Sequence, residues 1–126
     1  MVAAGERFVA ASLQSGVLVA TIMREEIRDA TDAYSCRDEL IATIDSSKTE
    51  QLVINLDHVQ FLGSIGLVAL LGVRRHLGSG RIILCNISEI VRQMLLVCRL
   101  IPRTETDTAP FETAATEAVA VESLAS

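Results

Sequence analysis

The sequence predicts an α/β fold, a mixed β-sheet of four to five strands with about four helices packed on it. Three observations carry this prediction. Two short apolar runs rich in Val, Ile and Thr flank Gln14-Ser15-Gly16, which signals a hairpin near the N-terminus. Two later runs, QLVINL and RIILCNI, are almost continuously apolar, as strands buried on both faces of a parallel sheet are. Between them lies a segment of helical length, so strand, helix and strand make a right-handed crossover unit.

Taken in order, RFVAASLQSGVLVATIM supplies the hairpin. From Thr31 to Ile44, Ala33, Cys36, Leu40 and Ile44 recur at helical spacing, with Arg37, Asp38 and Glu39 on the other side, which predicts an amphipathic helix. SSKTE is a polar loop before the first buried strand. A helix opens at Ser64 and stops at Gly78, where a left-handed cap is expected. After RIILCNI, Ser88 caps a helix whose inward stripe is Val91, Met94, Leu95 and Cys98, with Arg92 and Arg99 facing water and Pro102 ending it. RTET is read as a further short edge strand. Pro110 suits the first turn of a last helix over about residues 111–126, with Phe111, Ala115, Ala118 and Val119 on one side and a fraying end. The order is β-β-α-β-α-β-α-(β)-α, without internal repeat or linker, in one domain spanning residues 1–126.

Charge narrows the function classes. The net charge of −5 argues against a general nucleic-acid binder, which needs clustered Lys and Arg. The distribution is polarised: residues 74–103 hold six arginines against Glu89 alone, whereas residues 104–126 hold five acids and no base. Such a surface suits a protein partner. Cys36, Cys85 and Cys98 lack metal or redox spacing and are expected to be buried thiols of a reducing compartment. The start, MVAAGERFVAASLQSG, meets Glu6 and Arg7 too early for a secretory apolar region. No run reaches the roughly 18 apolar residues of a membrane span. A cytoplasmic protein without direct membrane insertion is expected.

The helix that opens at Ser64 carries the informative pattern. At about 100° per residue, Gly66, Leu70, Val73 and Leu77 face the sheet, while Ser64, Val68, Leu71 and Arg75 face away, with Ile65 and Gly72 beside them. An outer face that shows Val68 and Leu71 before any charge is a candidate partner surface, and it begins at a hydroxyl. A phosphate on Ser64 would meet the free N–H groups and positive dipole end of a helix start. It would also place up to about two negative charges at the head of the apolar ridge. The competing structural role is that of a helix cap for Ser64, with Gly63 or Gly66 allowing close packing.

Catalytic patterns are weaker. LGSIG departs from the nucleophile elbow because Leu62 stands where that motif has Gly. His76 lies on the same helix as Ser64 and twelve residues away, Asp57 and His58 sit in the approaching loop, and GSGR lacks the Lys of a phosphate-binding loop. Neither an enzyme nor a cofactor or metal site is expected.

The segments LVINLDHVQFLGSIGLVALLGVRRHL and GRIILCNISEIVRQMLLVCRL resemble the STAS domain (sulfate transporter and anti-sigma factor antagonist), in particular the small bacterial anti-sigma factor antagonists. Phe61 and Leu62 match the family's apolar pair, Ser64 its phosphorylated serine, Gly66-Leu67 its Gly-Leu, and NISEIVR its turn after the fourth strand. Gly63 stands where the family carries Asp, and Ile65 where it carries a second Ser or Thr. In EEIRD, Ile27 holds the apolar position of the family's Gly-Glu-Leu-Asp and Arg28 replaces its Asp. The resemblance implies a STAS-like fold and a phospho-switched binding protein in a stress response. Unphosphorylated, it would bind an anti-sigma factor serine kinase and so free a sigma factor for transcription; phosphorylation of Ser64 would end that binding. The partner surface so implied comprises Gly63, Ser64, Ile65, Val68, Leu71, Arg75 and Arg28. The alternative is a non-catalytic STAS subunit of a stress-signalling scaffold or a lipid transporter, with Ser64 only a helix cap. A nucleotide or small-molecule binder ranks last, for want of a phosphate cradle.

Overall fold

A computed structural model describes residues 8–125. Glu6 and Arg7, used above in reading the N-terminus, lie outside the described residues.

The hairpin forms first: β1 (Val9–Gln14) and β2 (Val17–Ile22) run antiparallel. Ser15 and Gly16, with φ of 53° and 79°, make the two-residue turn whose twist matches that of the strands. The two-residue β3 (Glu26–Ile27) leads into α1 (Ala30–Ser47). Asp29 caps this helix by accepting from the Asp32 N–H at 2.8 Å, and Ala33, Cys36, Leu40 and Ile44 are its buried face, as their spacing requires. β4 (Gln51–Asn55) pairs parallel with β2 and with β6 (Arg81–Cys85). Their unbroken apolar runs are buried on both faces. β5 (Phe61–Leu62) pairs parallel with β3, and α2 (Ser64–Leu77) follows at once, ending at Gly78 with φ 68°.

Gly80 is needed for close approach rather than for φ. A Cβ there would sit 2.3 Å from the Glu50 carbonyl oxygen, because the turn after α2 presses against the loop before β4. Ser88 caps α3 (Glu89–Val97) through a 3.3 Å hydrogen bond from the Val91 N–H. β7 (Glu112–Ala114) pairs parallel with β6, and α4 (Glu117–Ala125) closes the described chain.

The main sheet has the order β1-β2-β4-β6-β7. One face meets the larger core, which joins α1, α2 and α3 residues to Leu52, Ile54, Ile82 and Leu84. The other face, Val17, Val19, Val53, Ile83 and Cys85, is covered by Ala120 and Leu124 of α4. Asn55, a buried polar residue at the end of β4, donates to Glu117 at 2.9 Å and accepts from Asn86 at 3.2 Å. Gln14 also donates to Glu117, at 3.2 Å, so the start of α4 is pinned to two strands.

Three expectations are corrected. RTET is not a strand; residues 103–106 form bends and turns, and the edge strand is Glu112–Ala114. The last helix therefore begins at Glu117, with Thr116 Oγ1 accepting from the Val119 N–H, and not near Pro110. Its buried residues are Ala120 and Leu124, whereas Val119 is exposed. Pairing with the open edge of β6 offers residues 112–114 hydrogen bonds that outweigh a weak helical preference. Finally, α3 ends at Val97, well before Pro102, and Cys98 is exposed.

The thiols consequently differ in reactivity. Burial pushes Cys36 up to about 12 and Cys85 up to about 11, which leaves almost no thiolate at neutral pH. We expect a thiol reagent added to the native protein to label Cys98 alone, and all three cysteines in denaturant, as read by peptide mapping.

Candidate functional site

The entry to α2 is assembled by the smaller sheet. Glu26 pairs with Phe61 and Ile27 with Leu62, and the Gly63 N–H donates to the Ile27 carbonyl at 2.8 Å. The strand pair thus fixes the first turn of α2 beside the chain that leads into α1. Gly66 faces the pair so closely that a Cβ would lie 3.3 Å from Leu62 Cδ2 and 3.5 Å from Ile27 Cγ2. Arg28, the next residue after β3, stacks its guanidinium 4.2 Å from the centre of the Phe61 ring and pairs with Glu26.

Ser64 is not the cap of α2. Gly63 occupies the cap position with extended backbone, φ −69° and ψ 170°, and so no side chain caps the helix. The Gly63 carbonyl accepts from the N–H groups of Gly66 (2.9 Å) and Leu67 (3.2 Å), which leaves those of Ser64 and Ile65 without an acceptor among the described residues. Ser64 is the first helical residue, is exposed, and its hydroxyl makes no hydrogen bond among the described residues. The first turn holds no acid, while the last holds Arg74, Arg75 and His76. Among the described residues, the uncapped helix start is therefore electropositive, with a free hydroxyl on it and Arg28 alongside.

The outer face of α2 matches its expected orientation in part. Ser64, Val68 and Arg75 are exposed, Val68 at 48%. Ile65 and Leu71 are half-buried and pack against the core margin, so they flank the ridge rather than crown it. Leu77, expected on the sheet, is only half-buried. Arg28 comes from a different element and lies by the head of α2, whereas Arg75 lies near its far end.

One neighbour was missed in the sequence. Tyr34 on α1 is 37% exposed, and the Arg37 guanidinium lies 4.7 Å from the centre of its ring. Arg37 also reaches α2: a Cβ on Gly72 would meet its Cδ at 3.0 Å. The ridge of α2 is thereby joined to an aromatic on α1 by an arginine stem laid across a glycine. Tyr34 carries no signal of its own in the sequence, and only the packing of α1 on α2 makes it part of this surface.

The histidines do not serve Ser64. His76 Nε2 lies 2.7 Å from Asp45 Oδ1 of α1, and Asp57 and His58 are exposed in the loop before β5. Among the described residues no group of three or more His, Cys, Asp or Glu side chains is placed to hold a metal ion. Nor does any described helix have the length and apolarity to cross a membrane.

A mixed sheet with parallel crossover strands, helices on both faces and an exposed serine opening the second helix defines a small α/β domain. The model of the STAS domain family matches residues 14–113, and the chain belongs to that family. Solved structures agree on the fold. A STAS domain anti-sigma factor antagonist protein from Planctomyces limnophilus superposes with a TM-score of 0.77 at 18% identity, covering 94% of this chain and 98% of the other. The Bacillus cell fate determinant SpoIIAA in its phosphorylated form gives 0.64 at 22%, covering 91% and 97%. An RsbS variant from Moorella thermoacetica gives 0.70 at 18%, covering 94% and 95%. No curated protein matches the sequence significantly.

Proposed function

We propose that this protein is a regulatory binding protein, an anti-sigma factor antagonist that engages an anti-sigma factor serine kinase and is switched by phosphorylation of Ser64. The observation that carries this reading is the state of the Ser64 hydroxyl: exposed, unbonded among the described residues, and set on the uncapped first turn of α2 ahead of Val68. A serine employed as a helix cap would spend its oxygen on a backbone N–H. Here Gly63 holds that position, so the cap role that supported a purely structural subunit is not available to Ser64.

The protein acts by binding, not by catalysis. In the unphosphorylated state Val68, flanked by Ile65 and Leu71, offers the partner an apolar contact, with Gly63 and Ser64 at its head, and Arg28 and Arg75 set the charge at its margins. Phosphate on Ser64 adds about two negative charges where the partner must otherwise seat apolar groups. Desolvating that charge against an apolar contact ends the fit. The two structures of SpoIIAA, one described as unphosphorylated and one as phosphorylated, share this fold and support a phospho-switched reading.

The deciding experiment is intact mass spectrometry with peptide mapping on protein isolated from its native cells, resting and stressed. One phosphate is expected on the peptide that contains Ser64 in one of the two conditions. An unmodified Ser64 in both would remove the switch and leave a structural STAS subunit.

A further inference from the structure

β1 is the edge strand of the main sheet, hydrogen-bonded to β2 on one side. The phase of its main chain follows from the hairpin. Gln14 and Val17 close the two-residue turn, and the Met23 N–H donates to the Phe8 carbonyl at 2.7 Å. The N–H and C=O groups of Ala10, Ser12 and Gln14 therefore point to β2, and those of Val9, Ala11 and Leu13 point away from it.

The start of this outer row is occupied. Glu39 of α1 accepts from the N–H groups of Phe8 and Val9, at 2.9 and 3.3 Å. Beyond it, the N–H and C=O groups of Ala11 and Leu13 have no partner among the described residues. Edge strands are commonly blunted by a charge, a proline or a bulge. VAASLQ contains no charged residue and no proline, pairs with β2 without a bulge, and leaves Leu13 59% exposed. The opposite edge is different: β7 is three residues long, and its Glu112 is held in a two-pronged pair by Arg81 at 2.8 and 2.6 Å.

We infer that two copies of this chain associate through β1, pairing antiparallel across a two-fold axis at Ser12 to join their sheets into one. Two donors and two acceptors, repeated on alternate residues, are the complement of an extended strand and of little else. The fit to β1 itself is supplied by symmetry. With the axis at Ser12, Ala11 stands opposite Leu13 of the second copy, and each pair exchanges both main-chain hydrogen bonds, which uses the N–H and C=O groups of both residues. Residues opposite one another then lie on the same sheet face: Ala11 with Leu13 and Ser12 with Ser12. No charge faces a like charge within the strand pair, which matters for two molecules that each carry −5. Glu39, by filling the Val9 donor, confines the pairing to this register. The contact is small, so the dimer is weak. The strand shares no residue with the surface around Ser64, and the inference stands apart from the proposed switch.

The test is sedimentation equilibrium on the full chain between about 1 μM and 1 mM, a range that spans micromolar to millimolar dissociation constants. The apparent mass is expected to rise from 13.6 kDa toward twice that value. Ala11→Pro removes an outward donor while keeping the ladder to β2, and should weaken association by about tenfold or more. Leu13→Lys, which sets two positive charges close together across the axis, should do the same and serves if the proline variant loses its circular dichroism. In a Cys98→Ser background, Ser12→Cys should oxidise to a covalent dimer, since opposed residues of an antiparallel pair lie within disulfide reach. A monomer mass at every concentration, unchanged association of both variants, or a dimer that Ser12→Cys does not cross-link would overturn the inference.

Discussion

Val68→Asp is expected to lower affinity for the proposed kinase partner by about a hundredfold or more, because a carboxylate seated in an apolar contact costs several kcal/mol unless it is paired. The same substitution should leave the fold intact. Val68 is 48% exposed on the outer face of α2, and surface substitutions of this kind usually stay within about 0.5–1 kcal/mol. Titration calorimetry against the purified partner and a urea melt measure the two quantities separately. Ser64→Ala is the paired control. With Gly63 at the cap and the hydroxyl unbonded, losing the oxygen should change stability by less than about 0.5 kcal/mol and leave affinity near that of the unphosphorylated protein. Ser64→Asp should weaken binding by a smaller factor than Val68→Asp, since one carboxylate carries less charge than a phosphate. An unfolded Val68→Asp would mean that the outer face of α2 is core; full affinity in a folded Val68→Asp would put the contact elsewhere.

The parts of the fold that could be read from the sequence are those where one periodicity meets no competitor. Ala33, Cys36, Leu40 and Ile44 repeat at helical spacing and are all buried, and the unbroken runs of β4 and β6 sit centrally in the sheet as such runs must. Elements of two residues were invisible, because β3 and β5 are too short to show any period. They exist only because Glu26-Ile27 and Phe61-Leu62 are brought side by side by longer elements. A helix start at Ser64 is legible in the sequence, but which of its two roles that serine takes is not, for a related reason. Serine outranks glycine as a cap in general, but the Gly63 N–H is drawn to Ile27, which sets the extended backbone at Gly63 and starts the helix at Ser64. The same β3–β5 pair that no pattern announced thus decides that the Ser64 oxygen is free. Cys98 failed as a core residue because α3 stops one residue earlier, and Leu100 and Ile101 take the buried positions.

Phe111→Ala should be the most damaging substitution for stability, with a loss of about 3–5 kcal/mol. Read as part of a terminal helix, Phe111 would merely share one helix face with Ala115, Ala118 and Val119. In the structure it is fully buried in the larger core together with Leu100 and Ile101, and its N–H donates to the Leu100 carbonyl at 3.1 Å. That bond brings the segment after α3 alongside the start of β7, so the ring anchors the edge strand as well as filling volume. Truncation to Ala removes the ring from a site that neighbouring main chain holds open, and a cavity of that kind relaxes poorly. Since domains of this size are stable by only about 5–15 kcal/mol, a large share of the total would go. The melting temperature should fall by on the order of 10–20 °C. Val119→Ala, on the exposed side of α4, should shift it by at most a few degrees. Equal shifts for the two would mean that the terminal segment is packed as one helix after all, with Phe111 no better buried than Val119.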